Sequence, residues 1–158
     1  MSYSVPELED AEVIFNMGYN AATSHPLVAR RIVRAKKKGA KIICVDPRKT
    51  ETGRIADIFL PIKGGTNMLF LCAMAHVIVT EDLVDHEFID AHTVGFDEYA
   101  REIADPKYAP EAIAEQTHLD AEEIRKAARL FASSKHTMTL WGMGVTQFSQ
   151  GVECVIAC

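Results

Sequence analysis

Four short stretches of this 158-residue chain carry residue types that grip small anionic or sugar-like ligands. The first, 18–25, gathers Gly18, Asn20, Thr23, Ser24 and His25. The second, 46–52, opens on Asp46, Pro47 and Arg48. The third, 63–67, holds Gly64, Gly65, Thr66 and Asn67, and the fourth, 142–147, holds Gly142, Met143, Gly144 and Gln147. Glycine lets a backbone approach a ligand closely, and short hydroxyl and amide side chains donate to phosphate and sugar oxygens. A carboxylate such as Asp46 accepts from two ribose hydroxyls, and a guanidinium such as Arg48 pairs with phosphate or stacks on a base. Each stretch taken singly also reads as an ordinary turn, with Asp46 a turn cap, Arg48 a solvated charge and His25 a capping or surface residue. The first stretch lacks the closely spaced glycines of G-x-G-x-x-G, so a standard NAD-type pyrophosphate turn is not expected.

No reaction centre accompanies these stretches. His76, His86, His92, His118 and His136 have no metal-ligand spacing. The chain has no H-E-x-x-H, no P-loop and no Ser/His/Asp arrangement. No catalytic residue and no metal ligand is therefore assigned; the residues describe a binding surface.

The elements that must position that surface follow from hydrophobic patterning. EVIFNM (12–17) and KIICV (41–45) are short apolar runs closed by Gly18 and by Asp46-Pro47, and both read as buried strands. Between them, 27–38 has helical periodicity and ends in three lysines and Gly39, with Ser24 as its cap and Pro26 in its first turn. This strand–helix–strand unit predicts a parallel pair with a right-handed crossover. A weaker strand is expected at 57–62, with Pro61 marking an edge or an end. Gly64, Gly65 and Thr66 open a helix over 67–80; 81–119 holds short helices and turns; 120–133 is an amphipathic helix with Asp120 as cap and Glu123 at the capping-box position. A fourth strand is expected at 137–141. The predicted fold is α/β, a Rossmann-like parallel sheet flanked by helices. All four ligand-type stretches then follow the carboxyl ends of strands, where open α/β sheets bind their ligands, and together they point to a nucleotide site.

Composition is that of one soluble domain. Apolar residues make up 48% and charged residues 25%, with a net charge of −5. That balance excludes a disordered chain and argues against nucleic acid or anionic membrane as a bulk partner. No apolar run reaches the ~18 residues of a membrane span. The first ten residues carry no export signal, so the cytoplasm is the expected compartment. Cys44, Cys72, Cys154 and Cys158 form no C-x-x-C pair and are expected to be reduced and structural. The segment GVECVIAC (151–158) reads as a helix broken off after about two turns, so the chain is expected to be a single domain over 1–158, truncated at both ends, of a larger protein.

Taken together, MGYNAATSHP, ICVDPRKTETGRIADIFLPIKGGTN and LWGMGVTQFSQGVE resemble the catalytic subunit of molybdopterin-dependent formate dehydrogenases. The resemblance runs from about Leu8 to the C-terminus and is most specific in VDPR combined with WGMGVTQ. It implies a domain that binds one arm of bis-molybdopterin guanine dinucleotide around molybdenum or tungsten. Formate would be oxidised to CO2, with electrons leaving through a [4Fe-4S] cluster in a missing N-terminal part to an iron–sulfur or flavin electron-transfer subunit. On matching motif positions, Gly18, Asn20, Thr23, Ser24 and His25 would line the first cofactor loop. Asp46, Pro47 and Arg48 would hold the guanosine end. Gly65 and Asn67 would approach the diphosphate, and Met143, Gly144 and Gln147 would lie along the pterin. The family's cluster cysteines and its metal-binding Cys or selenocysteine fall upstream of Met1, and its substrate Arg falls downstream of Cys158. The isolated chain is accordingly expected to be inactive. Another molybdopterin oxidoreductase, such as a nitrate reductase, and a non-catalytic nucleotide-binding module are the competing readings.

Overall fold

The computed structural model describes residues 4–158. After a 3-10 turn at Val5–Asp10, the chain runs β1 (Val13–Met17), α1 (Ala21–Ser24), α2 (Pro26–Lys38), β2 (Lys41–Val45), α3 (Glu51–Ile55) and β3 (Ile58–Leu60). A long helical crossover follows: α4 (Asn67–Thr80), α5 (His86–His92), α6 (Phe96–Ile103), α7 (Pro110–Thr117) and α8 (Ala121–Ala132). It returns to β4 (Thr137–Trp141), and α9 (Met143–Thr146) and α10 (Gly151–Ala157) close the described chain.

The four strands form one parallel sheet in the order β3-β2-β1-β4. Register brings Met17 level with Val45 and Trp141, and Val45 level with Leu60, so every strand's carboxyl end reaches one rim. The chain leaves β1 toward β2 on one side, while β4 lies on the other. The gap above β1 and β4 is therefore the switch point of the sheet.

Alternation along the strands divides the core. Val13, Phe15 and Met17 join Ile43, Val45 and Leu60 in a cluster closed by α4, α7 and α8 through Phe70, Met74, Ile113 and Ile124. Ile14 and Ile42 face the other way, onto Leu8, Ala21, Ile32 and Ala35. Full burial of side chains of this kind contributes about 1.5–3 kcal/mol each, so both faces of β1 anchor the fold.

The expected strands are all present, with two trimmed. Glu12 precedes β1 and turns its carboxylate to Ser134 Oγ and the Lys135 N–H. β3 covers 58–60 and not 57–62: Pro61 has no N–H to continue the ladder, and Asp57 instead takes the Ile42 N–H on its side chain at 2.8 Å. Two capping expectations are corrected. Ser24 does not cap α2; it lies in the short helix α1, and its hydroxyl donates to Asn20 O at 2.9 Å, while His25 takes the cap position without a side-chain bond. Asp120 does cap α8, but Glu123 turns to Lys126 and completes no capping box. All four cysteines are free. Among the described residues no helix is long and apolar enough to cross a membrane.

Candidate functional site

Three glycine contacts pull the rim loops together. Gly18 sits at φ +56°, in the left-handed region that favours glycine, and a Cβ there would meet the Gly144 carbonyl carbon at 2.7 Å. A Cβ on Gly144 would meet Gly18 Cα at 2.7 Å, and one on Gly142 would meet Gly18 O at 2.8 Å. The loops touch backbone to backbone, and the Gly144 N–H donates to Gly18 O at 3.0 Å. Asn67, at the start of α4, adds a third point by donating from Nδ2 to Gly144 O at 2.9 Å.

Around this junction lies a cleft of about 500 Å³, within the range of small-molecule and cofactor sites. Eleven of the thirteen residues assigned from sequence line it: Gly18, Asn20, Thr23, Ser24, His25, Asp46, Pro47, Arg48, Asn67, Met143 and Gly144. Gly65 and Gln147 do not. Gly65 forms the turn beside the wall that Gly64 supplies, and Gln147 donates to Met143 Sδ at 3.4 Å from outside the cleft. The structure adds Tyr19, Val45, Ile62, Trp141, Gly142 and Phe148 to the lining. Trp141 and Phe148 are each more than two-fifths exposed and give the mouth an aromatic rim. Trp141 was legible as the residue that ends the fourth predicted strand; Phe148 carried no signal beyond its nearness to that loop.

The polar walls are built locally. Asn20 donates from Nδ2 to Thr23 Oγ1 at 3.0 Å, and His25 Nδ1 lies 3.0 Å from Ser24 Oγ. The Asn20 Oδ1 atom is buried with no hydrogen-bond partner. Opposite, Asp46 is 7% exposed, and its carboxylate takes the Arg48 N–H on Oδ1 at 2.8 Å, which folds the loop tightly after β2. Among the described residues the Arg48 guanidinium joins no ion pair. Burial pushes the Tyr19 phenol above its ordinary pKa, keeping it neutral. Among the described residues no group of three His, Cys, Asp or Glu side chains is arranged to hold a metal ion. The arrangement can accept from sugar hydroxyls, pair with an anion and cover a planar ring. Its one hydroxyl–imidazole contact, Ser24 with His25, has no third side chain bonded to the imidazole among the described residues.

An open parallel sheet with a cleft at its switch point places the chain in the doubly wound α/β class. Comparison with known proteins goes further. The model of the molybdopterin oxidoreductase family matches residues 1–157. Formate dehydrogenase H of Escherichia coli is 50% identical over 98% of this chain, which spans 21% of that protein. The F420-dependent formate dehydrogenase 1 subunit alpha of Methanococcus maripaludis is 43% identical over the whole chain, which spans 23% of it. A nitrate reductase of Symbiobacterium thermophilum is 39% identical over 94% of the chain, which spans 21% of it. Among solved structures, acetylene hydratase from Pelobacter acetylenicus superposes with a TM-score of 0.82 at 35% identity, covering 91% of this chain and 20% of that one. The chain belongs to the molybdopterin oxidoreductase family and spans about one fifth of the curated relatives it matches.

Proposed function

We propose that the cleft holds one guanine dinucleotide arm of a molybdopterin cofactor and that the chain is a segment of a formate dehydrogenase catalytic subunit. The observation that carries this reading is the convergence of all four rim loops on one cleft with its polar groups unspent. The Asp46 carboxylate has one recorded hydrogen bond, to its own loop; the Arg48 guanidinium is unpaired among the described residues; Asn20 Oδ1 is buried and unpartnered. Such atoms fit a ligand rich in hydroxyl, phosphate and ring N–H groups. Asp46 and Arg48 would hold the guanosine end, Asn20, Thr23 and Ser24 the first loop's share of the anionic part, and Met143 and Gly144 the pterin side. When bound, the group supplies the two-electron chemistry that turns formate into CO2, and this chain's residues bind and orient it.

The greater identity to formate dehydrogenases than to a nitrate reductase supports formate as the substrate; nitrate reduction is the second reading, favoured by the 39% relative. On the first reading, the full protein also carries molybdenum or tungsten, a [4Fe-4S] cluster outside this chain and an electron-transfer partner subunit, and works in the cytoplasm.

Replacing Asp46 by Ala in the full-length enzyme tests the reading. Charge-assisted bonds to a ligand contribute about 1.5–3 kcal/mol, so metal and guanine nucleotide content is expected to fall roughly tenfold or more. Loss of the turn bond to Arg48 costs about 1 kcal/mol of stability. Normal cofactor content with a lowered melting temperature would reduce Asp46 to a turn cap and remove the binding role.

A further inference from the structure

Asn16 is an anomaly in the most buried strand of the fold. β1 reads VIFNM, all five residues are buried, and Asn16 itself is 0% exposed. Its Nδ2 donates to Tyr19 O at 3.0 Å and lies 3.6 Å from Cys44 Sγ. Its Oδ1 is buried with no partner. A leucine has the same branched outline and would fill this place without burying an unpaired oxygen. Beyond its long bond to Cys44 Sγ, the gain that the structure shows for the amide is its bond to the Tyr19 carbonyl.

That bond sets the orientation of a peptide group in the cleft wall. The described chain has no cis peptide bond, so the Tyr19 carbonyl and the Asn20 N–H point in opposite directions from one rigid plane. A carbonyl drawn toward Asn16 turns the Asn20 N–H away from Asn16. Among the described residues that N–H donates to nothing. The neighbouring loop is held in the same manner, by the buried Asn67 amide on Gly144 O, and the two loops are joined by the Gly144 N–H bond to Gly18 O. Two buried amides thus each hold a carbonyl beside the cleft, Asn16 from β1 and Asn67 from the start of α4.

We infer that Asn16 is a positioning residue, whose buried amide locks the Tyr19–Asn20 peptide so that the Asn20 N–H is presented to the anionic part of the bound dinucleotide. This rests on the proposed occupant of the cleft. Asn16 touches no ligand in this account and acts through the loop above it.

The test compares Asn16→Leu and Asn16→Ala in the full-length enzyme, reading guanine nucleotide content, melting temperature and amide hydrogen exchange of the cofactor-free protein. Asn16→Leu is expected to keep or raise the melting temperature, because the orphaned oxygen is gone. It is expected to lose cofactor at least tenfold and to speed exchange at Thr23, Ser24 and Gly144 by a similar factor, because the loop is unlocked. Asn16→Ala leaves room for a water that can donate to Tyr19 O, so it is expected to lower the melting temperature yet retain more cofactor than the leucine variant. A residue that serves packing alone gives the reverse ranking, and that ranking overturns the inference. So does wild-type exchange in the leucine variant, or wild-type cofactor content in it. If the wild-type enzyme carries no guanine nucleotide, the proposed occupant is wrong, and the exchange rates still decide whether Asn16 locks the loop.

Discussion

Asn16 and Cys44 face one another across β1 and β2, and the thiol gives this buried pair a measurable signature. Burial above all pushes the Cys44 thiol up to about 11; bonds from Asn16 and Thr50 pull the other way, and the nearby Asp46 charge adds to the rise. An acid whose folded pKa lies above its unfolded value keeps its proton in the native state after the unfolded state has lost it. Stability is therefore unaffected below pH 9.0, the ordinary value, and falls between there and about 11, by at most about 1.4 kcal/mol per pH unit. Urea denaturation at pH 8, 9.5 and 10.5 is expected to show this fall in the wild type and a shallower one in Cys44→Ala. Parallel curves would mean that the thiol is not protected from solvent as the structure has it. The same residues mark the limit of reading from sequence. Asn16 lay inside an apolar run that announced only a buried strand, and nothing in its spacing revealed the carbonyl it would meet. Asp46 and Gly144, by contrast, were legible, because turn chemistry at a strand end constrains residue type directly.

At the scale of elements, legibility followed the strength of the period. The apolar runs of β1, β2 and β4 and the amphipathic stripe of α8 were read to within a residue or two, because burial on a sheet or on one helix face leaves a regular imprint. The four-to-five-residue helices α1, α3 and α9 were missed and read as loop, since one helical turn contains no period. Their formation is a tertiary matter: Thr50 caps α3 by accepting the Gly53 N–H, and Val145 of α9 is buried against the main core. The cap of α8 yields a prediction. The Asp120 side chain accepts the Glu122 and Glu123 N–H groups at 2.9 and 3.1 Å. Asp120→Ala should cost about 1 kcal/mol, a drop of roughly 2–4 °C in melting temperature for a domain of this size. Glu123→Ala should shift it far less, because an exposed pair with Lys126 is worth about 0–1 kcal/mol. Equal shifts in thermal melts of the two variants would restore the capping box that the geometry denies.

For the molecule as a whole, the consequential surface runs from the mouth of the cleft onto the last helix. Met143, Val152 and Ile156 are 67%, 71% and 81% exposed, and Trp141 and Phe148 extend the same apolar character to the rim. Exposed apolar surface of this kind marks an interaction face. The 158-residue chain is expected to self-associate with rising concentration in sedimentation velocity, and the double variant Val152→Lys, Ile156→Lys is expected to stay monomeric with an unchanged far-UV spectrum. A wild-type chain that is monomeric at every concentration would show that this face is too dispersed to drive association.

The central position of β1 also has a consequence in time. Its partner β2 follows after α1 and α2 alone, whereas its partner on the other side, β4, arrives only after the whole helical crossover; the Glu12–Ser134 bond beside that pairing joins residues 122 apart in sequence. At 5–20 residues per second, a ribosome needs on the order of ten seconds to deliver β4 after β1 has emerged. Through that interval one edge of β1 stands open, with Ile14 and Phe15 beside it. The loop at 18–25 waits for the glycine of 144 that holds it closed, so the cleft is among the last parts of this domain to exist.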